Sequence, residues 1–203
     1  MPLPSSPLPG LPACASFVDR VVGTFWWQTR FPDHTLAHAP RLRPGNGARQ
    51  AFFRLDDDGP TITLPRRYRT KGIVLHELVH WALDEQHDLP AHGRTFTRVL
   101  LDANEEFCGR ERAELLEASY REQRVRVGRA ARPGPDGRIR YGWDERLRLS
   151  RGEVRTVQWL DPSGCHQATM GVVDGFERGA TLRLLVDDEP MRVPTTAIWH
   201  VAH

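Results

Sequence analysis

Apolar positions recur at helical spacing through much of the first two thirds of the chain, and strand signals dominate the last third. In "ASFVDRVVGTFWWQT" (15–29), Phe17, Val21, Val22 and Phe25 fall near one helical face, with Trp26 and Trp27 packing at its end. Residues 35–43 are expected to hold a short strand, and "GNG" (45–47) marks a turn. "ARQAFFRL" (48–55) and "TITLP" (61–65) read as two strands joined across "DDDGP". Pro65 ends the second strand, and Thr70 is a suitable N-cap for a helix from Lys71 to Glu85. That helix is apolar nearly all round, which predicts burial rather than a surface position. After the loop "QHDLPAHG" (86–93), Phe96, Val99, Leu100, Ala103 and Phe107 trace an amphipathic helix that stops at Gly109. A third helix, 110–124, carries Ala113, Leu116 and Tyr120.

"VGRAARPGPDGRIRYG" (127–142) has the composition of a linker. Beyond it, "EVRTVQWL", "QATMGVVDGF", "TLRLLVDD" and "MRVPTTAIWHV" are short strands separated by turns, a spacing that suggests a small β-barrel or open roll. The expected organisation is α+β. A disordered lead (1–14) precedes a helix-rich domain (15–127), an Arg/Gly/Pro-rich linker (128–142) and a β-rich, SH3-like or Sm-like module (143–203). Trp159 and Trp199 are expected in the core of that module, and His166, His200 and His203 adjoin no second ligand pair.

Composition narrows the picture modestly. The chain has 203 residues, 39% of them hydrophobic, and a formal charge of +2, which by itself favours no partner. Arginine supplies 27 of the 28 basic residues, a bias that fits a GC-rich genome. Cys14, Cys108 and Cys165 are far apart and form no C-x-x-C, which argues against a zinc ribbon and a disulfide scaffold. No apolar run approaches membrane-helix length. "LPAC" (11–14) loosely resembles a lipoprotein cleavage site, but no positive residue or continuous apolar segment precedes it, so a cytoplasmic protein is expected. Between Arg121 and Arg155 there are 11 Arg against 5 acids. Such a surplus could contact nucleic-acid phosphates, but with so little aromatic interleaving a solvated linker is the simpler account.

The chemistry concentrates in "VLHELVHWALDEQHDLPAHGRTF" (74–96), which holds four of the nine histidines. His76 and His80 lie four residues apart, so both rings project from one helical face and can share one Zn²⁺. Glu77 between them is placed to act as general acid/base on a metal-activated water. A chance H-E-x-x-H is expected in roughly 2% of sequences of this length and composition. Two buried imidazoles and a carboxylate without a partner are costly on an apolar helix, and a metal ion accounts for all three. A catalytic zinc needs a third protein ligand and an open position. The H-E-x-x-H-x-x-G-x-x-H pattern fails, because Leu83 and Gln86 stand where Gly and His are required. His87, in "DEQHD", reads as an exposed loop histidine. His92, just ahead of the next helix, can fold back across the His76/His80 face and is the expected third ligand.

"HELVH" followed by "HGRTF" resembles the SprT-like zincin metallopeptidase family, whose members carry H-E-x-x-H and then H-G-x-x-F or H-G-x-x-W opening the next helix. "ITLPRRYRTKGIVLHELVHWAL", "AHGRTFTRVLL" and "YREQRVRVG" together resemble actinobacterial metallohydrolases of that type, over roughly residues 48–128. The resemblance implies a minimal zincin-like core, a small sheet with an active-site helix and following helices. It implies zinc on His76, His80 and His92, and Glu77 as the catalytic acid/base. It also implies that "TITLP" lies beside the cleft, where an exposed strand can pair with an extended peptide. The chain lacks the C-terminal zinc ribbon common among SprT-like proteins, and no DNA-binding element is identifiable, so a DNA-linked role does not carry over.

The expected function is zinc-dependent hydrolysis of an amide bond in a peptide or protein substrate. One alternative is a binding protein with a closed structural zinc site, His87 being the fourth ligand, acting through the β module. Another is a zinc hydrolase acting on nucleic acid. Tyr68, Arg67 and Arg69, just ahead of the helix, are candidate oxyanion stabilisers.

Overall fold

The computed structural model describes residues 6–46, 50–83, 92–133, 138–141, 149–163, 165–177, 181–195 and 197–202. Among these residues the fold is mixed α+β, with two separate hydrophobic cores.

The first core is built from five helices and a three-stranded sheet. Helix α1 (Leu11–Val22) presents Cys14, Phe17, Val18, Val21 and Val22 to the interior. It begins earlier than the sequence pattern implies. Leu8 N–H donates to Arg69 O, Lys71 N–H donates to Ser6 O, and Cys14 is fully buried. The expected disordered lead of residues 1–14 is therefore ordered from Ser6 onward, pinned by backbone bonds to the turn ahead of the central helix. The helix expected to run on to Thr29 breaks at Gly23, and Thr24 accepts a hydrogen bond from Trp27 N–H to cap a short helix α2 (Phe25–Arg30). The break reorients the aromatics: Trp27 is fully buried, whereas Phe25 is 81% exposed rather than on the core face.

After a 3₁₀ turn at Leu36–His38, strand β1 (Arg41–Pro44) runs parallel to β3 (Gly59–Leu64), and β2 (Phe52–Asp56) pairs antiparallel on the other side of β3. The sheet order is β1-β3-β2. "TITLP" is thus the middle strand, hydrogen-bonded on both sides, and β1 and β2 are the outer strands among the described residues. Ile62 and Leu64, both fully buried, carry the sheet's apolar face.

Helix α3 (Lys71–Leu83) starts where Thr70 Oγ1 accepts from Ile73 N–H. Val74, Leu75, Leu78, Val79, Trp81 and Ala82 bury it on several sides, against α1, β2 and the next helix in the chain. Trp81 stacks on Trp27 with ring centroids 5.9 Å apart. Helix α4 (Arg94–Cys108) buries Phe96, Val99, Leu100 and Ala103, as its periodicity predicts. It ends at Gly109, whose φ of +92° favours glycine, and α5 (Arg110–Glu122) follows.

The expected linker is attached to this first core. Strands β4 (Arg132–Pro133) and β5 (Ile139–Arg140) pair, and Tyr141 stacks on Phe31 at 6.2 Å. The second core lies under an antiparallel sheet of β6 (Val154–Leu160), β7 (His166–Glu177), β8 (Thr181–Val186), β9 (Glu189–Pro194) and β10 (Ile198–Ala202). Val157, Val173, Leu182, Leu184, Val193, Ile198 and Val201 form it, with Trp159 packed against them. The order is β10-β6-β7-β8-β9, and no ladder joins β9 to β10 among the described residues. Of the expected alternatives, a small barrel or an open roll, the closed barrel is not formed by the described strands, which make an open sheet. Pro190 and Pro194 leave β9 without two of the N–H donors a second ladder would use. The side chains of His166, Trp199 and His200, and all of His203, lie outside the described parts.

Cys14, Cys108 and Cys165 are free thiols, as their spacing predicts. No described helix is long and apolar enough to cross a membrane.

Candidate metal centre

Helix α3 supplies two of the site's rings, and the turn before α4 supplies the third. The four-residue spacing of His76 and His80 sets their rings edge to face, with centroids 4.8 Å apart, on the α3 face toward α4. His92 is joined to α4 through Gly93, the residue ahead of its first turn. The three Nε2 atoms converge: His76 to His80 is 3.2 Å, His80 to His92 is 3.1 Å and His92 to His76 is 3.3 Å. No other cluster of three or more metal-ligating side chains occurs among the described residues.

This triangle cannot be satisfied by hydrogen bonds alone. In a neutral imidazole, Nε2 carries either a proton or a lone pair. Among three mutually touching nitrogens at least two are alike, so at least one contact opposes two protons or two lone pairs. A shared cation removes the conflict by accepting a lone pair from each. A tetrahedral ion with Zn–N of about 2.0–2.1 Å separates its ligand nitrogens by about 3.3–3.4 Å, close to the spacing here. The donor set therefore fits zinc, and other imidazole-binding transition metals also suit nitrogen donors.

The electrostatics agree with that reading. Burial, reinforced by His80 and His92, pushes His76 down to about 3. Burial and His92 push His80 down to about 4. Both rings are neutral at pH 7 and keep a lone pair for a ligand. The Phe96 ring closes the site from behind, with centroids 5.0, 4.5 and 4.9 Å from those of His76, His80 and His92. Phe96 is itself 3% exposed, so the three rings lean on a fixed wall.

Glu77 is 4% exposed. Burial raises its pKa to about 7, and a hydrogen bond from the Phe53 N–H on β2 partly opposes the rise. That bond sets the carboxyl at the edge of β2. A group that titrates near neutrality in a site of this kind is suited to take up and return a proton.

The structure thus brings together His76, His80 and His92 and fastens Glu77 beside them. His87 lies outside the described residues. The oxyanion candidates are engaged in the turn ahead of α3: Arg69 Nε donates to Leu64 O at 3.4 Å, and Arg67 lies 4.8 Å over the Tyr68 ring. In the Arg-rich stretch, Arg121 pairs with Glu117, Arg155 with Glu153, and Arg151 with Asp174. Phe96 appears in the sequence as a core position of α4, and its place in "HGRTF" is the signal for this second role. The Phe53 contact has no sequence signal, because any residue but proline offers that N–H.

Comparison with protein-family models, with curated proteins and with solved structures finds no match to this chain.

Proposed function

We propose that this protein is a zinc-dependent hydrolase with a zincin-like core, cleaving amide bonds in peptides or proteins. One observation carries the reading: three imidazole nitrogens meet within 3.3 Å of one another, two of them from an H-E-x-x-H helix. His76, His80 and His92 would hold the ion. When bound, zinc supplies Lewis acidity that brings the pKa of a water toward about 7 and polarises a carbonyl oxygen. Glu77 is the proton carrier. Its carboxyl takes a proton at neutral pH because burial disfavours the charge, and the Phe53 N–H holds it in place. Phe96 keeps the three rings from turning away and excludes water behind them.

The sheet supports a peptide over a small molecule as substrate. The outer strand beside α3 is β2, and an extended chain can add to its edge through backbone groups other than the Phe53 N–H, which Glu77 engages. This replaces the middle strand "TITLP" as the pairing candidate.

Metal content by mass spectrometry tests the proposal. Wild type and His87→Ala should carry one zinc, and His92→Ala should lose it. Glu77→Gln should retain zinc and lose turnover of a fluorogenic peptide library. Full zinc occupancy in His92→Ala would remove the basis of the assignment.

A further inference from the structure

Two of the three rings sit on a buried helix, but the third, His92, is exposed and precedes α4. A binding site needs its groups held to within about 0.5 Å. Phe96 supports the ring of His92, yet the backbone turn that carries it also needs a restraint. That restraint comes from the chain beyond α5.

Residues Arg126–Gly128 cross the first turn of α4. Gly128 N–H donates to Arg94 O at 2.9 Å. The hydroxyl of Thr97, a buried residue, lies 2.9 Å from Arg94 O and 3.0 Å from Arg126 O, bridging helix and crossing segment. The approach is close enough to require glycine. A Cβ on Gly128 would stand 2.7 Å from Arg94 O, 3.1 Å from Arg94 C and 3.3 Å from Arg98 Cβ. Two of these atoms are backbone, so the clash cannot be relieved by rotating a side chain.

The same helical face is held a second time. Arg94, Arg98 and Asp102 recur every four residues and lie on one side of α4. Arg98 pairs with Asp102. The Asp102 carboxylate hydrogen-bonds the half-buried Tyr141, whose hydroxyl also receives a bond from Arg30 Nε at 3.3 Å. The segment thus grips α4 at its first turn and again further along.

We infer that Arg126–Gly128 is a clamp that sets the first turn of α4 and thereby positions His92 for metal binding, with Gly128 and Thr97 as positioning residues. The inference rests on the zinc reading above. It assigns a metal-site role to Gly128, more than thirty positions beyond the last ligand, in a stretch whose composition reads as a linker.

The test uses the full chain with zinc as the probe. Zinc affinity is read by chelator competition, the ligand field by the visible spectrum of the Co²⁺-loaded protein, and folding by circular dichroism of the metal-free form. Gly128→Ala and Thr97→Val should each bind zinc at least about tenfold more weakly and shift the Co²⁺ spectrum. Thr97→Ser, which keeps the hydroxyl, should behave as wild type. Gly171→Ala is the control: its Cβ would lie 2.8 Å from Leu185 O, a comparable clash in the C-terminal sheet. That variant should leave zinc affinity unchanged.

Wild-type affinity and spectrum in both Gly128→Ala and Thr97→Val would overturn the clamp. So would an equal loss of affinity in Gly171→Ala, which would mark the effect as general destabilisation. If Gly128→Ala does not fold, the contrast between Thr97→Val and Thr97→Ser decides the matter. Zinc uptake that depends on His76, His80 and His92 but ignores Gly128 and Thr97 defeats the clamp alone. A wild type that takes up no zinc defeats the function proposal and the clamp together.

Discussion

Replacing Phe96 with alanine separates packing from metal chemistry at a single side chain. The ring is 3% exposed and touches all three imidazoles at 4.5–5.0 Å between centroids. Removing a buried phenyl ring costs about 3–5 kcal/mol, from lost burial and the cavity left behind. Urea denaturation of the chelated protein should show a loss of that size, and Phe96→Leu should lose only about 1–2 kcal/mol. The second effect is on the ligands. Without the wall, the imidazoles gain rotational freedom that metal binding must remove, so zinc affinity should fall about 10–100-fold, as with other groups that orient ligands. Chelator competition reads this independently of stability. A loss below about 1 kcal/mol would refute the burial assigned to the ring. A full stability loss with zinc affinity unchanged would refute its role in orienting the histidines.

Glu77 has an ordinary pKa of 4.5 and a folded value of about 7, so in chelated protein its contribution to stability is fully present below pH 4.5 and lost as pH rises through 7. Glu77→Gln lacks this dependence, and its stability relative to wild type should improve by about 2.5 kcal/mol from pH 5 to pH 8, measured by urea titration; equal differences at both pH values would contradict the burial. Phe25→Ser should change stability by no more than about 0.5 kcal/mol, whereas Trp27→Ala should cost about 3–5 kcal/mol. The reverse order would restore the unbroken helix read from the sequence. Tyr141→Phe should cost about 1 kcal/mol through its lost hydroxyl contacts, again by urea titration; no loss would mean that Tyr141 does not hold the segment to α4.

Residue order alone determined the helices from Lys71 onward, the two histidines sharing one face of the first of them, and four strand segments of the last third, the final one of which, "MRVPTTAIWHV", folds as parts of two strands, β9 and β10. These follow from local rules: periodicity of three to four residues, alternation, capping at Thr70 and termination at Gly109. The break at Gly23–Thr24 was written there too, as a Gly followed by a capping Thr, but the apolar spacing across it masked the signal. His92 was nominated by its place before a helix. Only folding across α3 and α4 could bring its nitrogen to 3.1–3.3 Å from the other two. Tertiary structure likewise decided that "TITLP" is flanked on both sides, that the last sheet stays open, that Phe53 N–H serves Glu77, and that Gly128 presses on Arg94. Each depends on which segments meet across long stretches of chain. Backbone groups are the same at almost every residue, so contacts made through them leave little trace in the order of side chains.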